Sequence, residues 1–271
     1  MPRTKISSAP ASPAGSSARE AAPGGLVAIH QPNLFPRLST LAKLFAADCW
    51  IVLDDVQFAR RDFQHRARLV AISGSARRQW LSLPTHLPHG RSTLIREAVL
   101  ADYERSRRRV ASMLPQYYAA SPDWPLLRAE LDCVLARFHD RAGTAEVAEE
   151  STRVLLRLLG WKGCILRSSL LPARRERSER LADLAANVGA RGYLCGTGGM
   201  RYLQDKPFAE HGVSVVPFRM PLVGLERCAG RKCRGSAHGA RDCFGRRPST
   251  RRGSQAPGTH QFHDCPVIML R

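Results

Sequence analysis

The feature that most constrains the fold is a strand, a loop, a helix and a second strand within about thirty residues. The apolar run LVAIH at residues 26–30 predicts a buried strand, and CWIVLDD at residues 49–55 predicts another. Between them, leucines and a phenylalanine recur at helical spacing from residue 38 to residue 45. Two strands joined by one short helix favour a right-handed βαβ unit with parallel strands.

Strand and helix patterns keep alternating along the chain. Further strands are predicted at WLSLP (80–84), CILRSS (164–169), GYLCG (192–196) and VSVVPF (213–218), with helices over about 102–160 and 178–188. This alternation predicts an α/β fold with a mostly parallel, Rossmann-like sheet and a helical insert at about 102–160. The predicted α/β domain spans residues 26–223.

Both ends of the chain lack such patterns. Residues 1–25 are rich in Ala, Ser, Pro and Gly and predict a disordered leader. Residues 224–271 predict an irregular basic tail with no periodic segment. This tail is either disordered or the product of a shifted reading frame, and the compositional bias favours the shift. An open alternative frame with an α/β pattern in the coding DNA would support it.

The net charge of +19 raises the possibility of a nucleic-acid or other polyanion partner. Residues 224–271 contain ten Lys and Arg against three Asp and Glu, so a net +7 lies in the predicted tail. No nucleic-acid motif with interleaved aromatic residues is present. A nucleic-acid partner is therefore not expected.

No run of about eighteen apolar residues is present, and the first residues lack the apolar centre of a secretory signal, so a cytoplasmic protein without a membrane span is expected. The eight cysteines show no C-x2-C pair, and no metal site is predicted. Four of them lie in apolar segments and are interpreted as buried free thiols: Cys49, Cys133, Cys164 and Cys195.

Three polar clusters could carry chemistry. The first is AIHQPNLFP, where His30, Gln31 and Asn33 follow a predicted strand and two prolines fix the loop. His30 could act as an acid or base, with the two amides binding a ligand. In the structural alternative, Asn33 caps the helix and His30 donates to a backbone carbonyl.

The second cluster, LDDVQFARRDFQHRARL, begins where the next predicted strand ends. Asp54 and Asp55 could hold a cation or take part in proton transfer. Arginine side chains bind phosphate or carboxylate through two parallel hydrogen bonds. The substrate-binding candidates are Gln57, Gln64, Arg66 and Arg68. In the structural alternative, the acids neutralise the arginines in an internal network.

The third cluster is YLCGTGGMRYL. A strand leads into Gly196, Thr197, Gly198 and Gly199, and we expect a helix to follow. Backbone N–H groups at a helix start can bind an anion. Cys195 could be a nucleophile activated by the helix end or a small buried residue.

At these clusters the sequence resembles the WbqC-like protein family. The matching segments are IHQPNLFPRLST, VLDDVQF and SERLADLAANVGARGYLCG, within residues 28–218. Arg37 replaces the usual aromatic residue, His65 and Ala67 replace frequent asparagines, and Cys195 stands where serine is common. The expected C-terminal part of the family is absent after about residue 221.

The resemblance implies an enzyme that transfers an amino-acyl (glycine-like) group to a sugar or small metabolite in surface-polysaccharide or secondary-metabolite biosynthesis. It implies that His30 is the acid/base, that Asp54 or Asp55 orients it or holds a metal, and that Arg66, Arg68 and the glycine loop bind an anionic donor. The resemblance also implies a small-molecule or sugar substrate. It indicates neither a cofactor nor an oligomeric state. The alternatives are a nucleotide-dependent nucleotidyltransferase or ligase, a non-catalytic polyanion-binding protein, and a damaged product.

Overall fold

The computed structural model describes residues 25–72 and 78–220. In chain order its elements are β1 (Leu26–His30), α1 (Leu38–Phe45), β2 (Cys49–Val52), β3 (Arg66–Val70), β4 (Arg78–Ser82), β5 (Thr85–His86), β6 (Val99–Leu100), α2 (Tyr103–Tyr118), α3 (Trp124–Leu135), α4 (Thr144–Leu158), β7 (Cys164–Arg167), α5 (Arg177–Asn187), β8 (Gly192–Gly196), α6 (Lys206–Glu210) and β9 (Ser214–Phe218). The predicted leader lies almost wholly outside these residues, and the predicted tail lies entirely outside them.

Five of the strands form one parallel sheet in the order β7-β2-β1-β8-β9. Counted along the chain, this is the order third, second, first, fourth, fifth, which is characteristic of doubly wound α/β folds. The predicted βαβ unit is confirmed, because β1 and β2 are parallel neighbours with Val27 opposite Cys49. Pro217 lies in the edge strand β9. Proline has no N–H to donate, and at the edge this does not interrupt the hydrogen bonds between the inner strands.

Helices cover both faces of the sheet. On one face, Ala28, Trp50 and Leu194 pack into a core with the apolar residues of α1 to α4. On the other face, Val27, Ile51 and further apolar side chains pack against α5 and α6. Helix α4 lies against α1, so that α1 is enclosed between the sheet and a second helix.

The chain between β2 and β7 contains two antiparallel ladders, β3–β4 and β5–β6, followed by α2, α3 and α4. The three helices lie where the sequence predicts a helical insert, whereas the division of the chain into domains stays a prediction. Within residues 25–72 and 78–220, no helix combines the length and apolar composition needed to cross a bilayer.

The structure corrects the interpretation of three of the four cysteines that were expected to be buried free thiols. Cys49 and Cys164 stand opposite each other on the neighbouring strands β2 and β7 and form a disulfide. Cys133 is exposed, and Cys195 is a buried free thiol. The pairing was missed because 115 residues separate the two cysteines and only the sheet order brings them together.

Candidate functional site at the carboxyl edge of the sheet

The order of the strands defines where a ligand crevice should lie. After β1 the chain continues into α1 on one face of the sheet, and after β8 it continues toward α6 on the other. In doubly wound sheets, such a switch point opens a crevice at the carboxyl ends of the two strands. Here the two segments at that point are the loop that starts at His30 and the loop 196–199, which we call the crevice loops.

The first crevice loop is held in place by distant parts of the chain. Leu34 donates its N–H to the carbonyl of Phe63 at 2.9 Å. The hydroxyl of Thr152 donates to the carbonyl of Asn33 at 3.0 Å, and Phe35 N–H donates to Ser151 Oγ at 2.9 Å. Arg37 occupies the N-cap of α1, so Asn33 does not cap that helix.

Phe35 has a φ of +40°, in the left-handed region that non-glycine residues seldom adopt. Strained backbone of this kind persists only where its surroundings enforce it, and it is common in ligand-binding segments. The hydrogen bonds from α4 to this loop provide that enforcement.

The histidine of this loop is a neutral base. Its Nδ1 lies 2.8 Å from the carbonyl oxygen of Gln31. A carbonyl can only accept, so Nδ1 carries the proton and Nε2 keeps a lone pair. Burial, the positive charge of Lys43 and, more weakly, that of Arg37 lower the pKa of His30 to about 3, against the opposing effect of the bond to Gln31. His30 therefore does not titrate near neutral pH, although its residue type suggested that it would.

The lysine that acts on this histidine was not among the predicted residues. Lys43 lies in α1 with only 7% of its surface exposed. Its ammonium makes no hydrogen bond or ion pair with any residue that the structure describes. Burial lowers its pKa to about 8, against a smaller opposing effect of Cys195. The charge of Lys43 acts on both His30, at the end of β1, and Cys195, near the end of β8.

The second crevice loop differs from its prediction. Gly196 ends β8, and the turn leads into a three-residue 3-10 helix at Gly199–Arg201, not into an α-helix. The expected anion site at a helix N-terminus is therefore not formed by this segment. A Cβ atom on Gly199 would lie 2.6 Å from the sulfur of Cys195, so glycine is required for this close approach.

The environment of Cys195 argues against a role of its thiol as a nucleophile. It is buried and lies 3.5 Å from the carbonyl of Gly196. Burial raises the pKa of Cys195, and Lys43 only partly opposes this effect. A thiol with a raised pKa stays protonated at neutral pH and is a poor nucleophile.

The two aspartates after β2 are engaged with the loop after β7. Asp54 is buried and accepts from the N–H of Ser169 at 3.0 Å and from its hydroxyl at 2.8 Å. The Ser168 hydroxyl lies within hydrogen-bond distance of both carboxylates, and Arg180 pairs with Asp55. Neither carboxylate is among the groups that shift the pKa of His30. The arginine that pairs with Asp55 lies outside its cluster, so the internal network of the structural alternative is not the one observed, and a catalytic role stays a prediction.

The remaining predicted residues separate into three places. Gln64 is completely buried, and its Nε2 donates to Gln31 Oε1 at 2.6 Å, which brings it to the first crevice loop. Arg66 and Arg68 lie on β3, with their guanidinium carbons 4.6 and 5.8 Å from the centre of the Trp80 ring. Gln57 donates to the carbonyl of Arg91 and lines a separate cleft.

The residues that sequence reasoning missed are Lys43, Ser168, Ser169 and Arg180. The serines directly follow a predicted strand, so the rule that places the aspartates at the carboxyl edge of the sheet applies to them as well. Lys43 offered no such signal, because a lysine in a short helix is normally exposed. Among the described residues, no three or more His, Cys, Asp or Glu side chains are grouped so that they could hold a metal ion.

Comparison with known proteins identifies the family of the chain. The profile of the WbqC-like protein family matches residues 31–222, which is more than two thirds of the chain. An uncharacterized protein of Mycobacterium tuberculosis is 24% identical over 199 residues, covering 71% of this chain and 81% of that protein. No solved structure matches. Since the family match runs from the first crevice loop through the last strand of the sheet, the chain belongs to the WbqC-like protein family.

Proposed function

We propose that this protein is an enzyme that transfers an amino-acyl, glycine-like group to an amine or hydroxyl of a sugar or small metabolite. Surface-polysaccharide or secondary-metabolite biosynthesis is the setting that the family resemblance implies. The observation that carries the proposal is the neutral His30 near the buried ammonium of Lys43, which pairs with no residue that the structure describes, at the switch point of the sheet.

Acyl transfer needs the two groups that this crevice supplies. Nε2 of His30 removes the proton from the acceptor as its nitrogen or oxygen bonds to the acyl carbon. The electron pair of the C=O bond moves onto oxygen, where the ammonium of Lys43 stabilises the negative charge. When the C=O bond re-forms, the bond to the leaving group breaks, and the leaving group takes the proton from His30.

Donor binding also solves the problem of a weak base. An imidazole with a pKa of about 3 accepts protons poorly at neutral pH. An anionic donor beside Lys43 offsets the positive charge that lowers the pKa of His30. The base therefore becomes stronger when the donor is bound, although burial, the larger cause of its low pKa, remains.

The other predicted residues take supporting roles in this proposal. Gln31, fixed by Gln64, and Asn33 orient the substrate from the first crevice loop. The donor-binding role that the family resemblance implies for Arg66, Arg68 and the loop of Gly196, Thr197, Gly198 and Gly199 stays a prediction, because the arginines lie over Trp80 and the loop leads into a 3-10 helix. Asp54 and Asp55 act as positioning residues, because their bonds to Ser168 and Ser169 fix the ends of β2 and β7.

Direct assay of glycyl transfer tests the proposal. The full chain is incubated with a glycyl thioester, or with glycine and ATP, and a panel of amino sugars and their nucleotide-linked forms. We expect mass spectrometry to show an acceptor that has gained one glycyl group, with the gain lost in Lys43→Met and kept in Lys162→Met, whose lysine is exposed. Absence of any glycylated acceptor contradicts the proposal. If pyrophosphate is released from ATP or CTP only when a sugar phosphate is present, and without glycine, the nucleotidyltransferase alternative is favoured.

A further inference from the structure

A second concave region lies next to β3 and the 3-10 helix at Gly90–Ser92, and none of the crevice residues line it. It consists of two clefts of about 430 and 420 Å³ that share Phe58, Arg60 and Leu87. We call the two together the arginine cleft. Its other lining residues are Gln57, His65, Ser82, Leu83, Pro84, Thr85, Arg91 and Arg109.

The charge of the arginine cleft is positive and uncompensated. Its lining contains three arginines, Arg60, Arg91 and Arg109, and no Asp or Glu. Among the residues that the structure describes, none of the three forms an ion pair with a carboxylate. The neighbouring Arg108, by contrast, pairs with Glu104 one helical turn away. Uncompensated guanidinium groups around a concavity favour an anionic ligand.

Two buried nitrogen atoms of this cleft also lack partners. Within the described part of the chain, neither Nδ1 of His65 nor Nε of Arg109 makes a hydrogen bond. Buried polar atoms are normally paired, but both nitrogens are closed to solvent, so they do not themselves contact a ligand in the cleft. Burial and the charge of Arg66 lower the pKa of His65, with Asp62 opposing, which leaves the ring neutral and able to donate or accept.

The floor of the cleft is apolar. Phe58 lies with its ring centre 5.3 Å from that of His65, and Leu83, Pro84 and Leu87 extend the same surface. Phe58 and Leu83 are only 6% and 1% exposed, so Pro84 and Leu87 supply the accessible apolar surface. Apolar surface beside a cationic rim suits a ligand with an aromatic part and a multiply charged part. The size of each cleft falls within the range of about 300–1,000 Å³ that is usual for small-molecule sites.

We propose that the arginine cleft binds a nucleoside diphosphate, with its base against Pro84 and Leu87 and its phosphates on Arg60, Arg91 and Arg109. The proposal goes beyond the transfer reaction, because binding here requires neither His30 nor Lys43. It also gives a place to Gln57, a predicted substrate-binding residue that lines this cleft and not the crevice.

Calorimetric titration of the full chain tests this site, with UDP, CDP, ADP and inorganic pyrophosphate as the probes in about 0.15 M salt. We expect at least one nucleoside diphosphate to bind about tenfold or more tightly than pyrophosphate. Arg60→Gln and Arg109→Gln should each weaken that binding by about tenfold or more, because each removes a bidentate phosphate contact. Arg108→Gln is the matched control and should bind as the wild type does. Arg60 is exposed, so its variant tests the site even where Arg109→Gln fails to fold.

Three outcomes overturn the proposal: no nucleoside diphosphate binds, pyrophosphate binds equally well, or Arg108→Gln weakens binding as much as Arg109→Gln. Titration of His30→Ala and Lys43→Met separates this site from the crevice. Retained binding in both variants supports a separate site, whether or not glycyl transfer is observed. Loss of binding in both places the nucleotide in the crevice and overturns the assignment.

Discussion

Lys43→Met is expected to stabilise the fold at neutral pH and to remove activity at the same time. Burial lowers the pKa of Lys43 from 10.5 to about 8, so the charged form is disfavoured in the folded state. At about 1.36 kcal/mol per pKa unit, the buried charge costs about 3 kcal/mol below pH 8. Methionine fills similar space without a charge, and the free energy of unfolding should rise by about 2–3 kcal/mol.

The pH dependence of this gain has a definite sign. Between pH 8 and 10.5 the unfolded chain binds a proton on Lys43 that the folded chain does not, so wild-type stability rises with pH across this window. The advantage of Lys43→Met should therefore be full below about pH 8 and fade toward pH 10.5. Urea unfolding at about pH 6.5 and pH 10 measures it, with Lys162→Met as the control.

Loss of the ammonium should also slow transfer. Removing one group that stabilises a developing oxyanion typically lowers kcat by about 10²–10³-fold. A variant that is more stable and less active has the signature of a charge retained for function. If Lys43→Met is less stable than the wild type at about pH 6.5, the ammonium has a structural partner and this interpretation is wrong.

His30→Ala is expected to abolish turnover while the fold stays intact. Loss of a general base lowers kcat by about 10²–10⁴-fold. The strand end should survive, because its fixing bonds are made by the carbonyl of His30, which accepts from Leu53 N–H at 3.0 Å and from Trp50 Nε1 at 3.2 Å. Thermal unfolding and the glycyl-transfer assay measure the two effects separately.

The control for this substitution is His86→Ala, because His86 is an exposed histidine on β5. It should leave both the melting temperature and kcat unchanged. Unchanged turnover in His30→Ala would exclude His30 as the base, and a collapsed fold in that variant would assign it a structural role instead.

The fold was largely predictable because its signals are local. Each strand of the main sheet is an apolar run, and β8 at Gly192–Gly196 coincides with the predicted segment. The order of the strands was not predictable in the same way, because it depends on which edge of the sheet each crossover reaches. The disulfide between Cys49 and Cys164 depends on that order, so it could not be predicted from the sequence either.

The site was predictable only in part, and Lys43 shows why. On a helical wheel, Lys43 lies away from the apolar stripe of α1 and looks exposed. Its burial comes from tertiary packing, and α4, about a hundred residues later in the chain, lies against α1. The loop at His30 was identified because its polar residues directly follow a strand. The pKa of that histidine could not be inferred, since burial and Lys43 set it through tertiary contacts.

The most direct test of the account is the protonation of His30, followed by NMR of its imidazole nitrogens in the wild type and in Lys43→Met. The His30 signal is assigned by its loss in His30→Ala, and Lys162→Met is the control. The account predicts that the wild-type ring stays neutral down to about pH 4 and that Lys43→Met raises the pKa of His30, because a positive charge beside it is removed. A wild-type ring that titrates at about 6.5, or the same titration in both proteins, would show that Lys43 does not act on His30 and would contradict the proposed crevice.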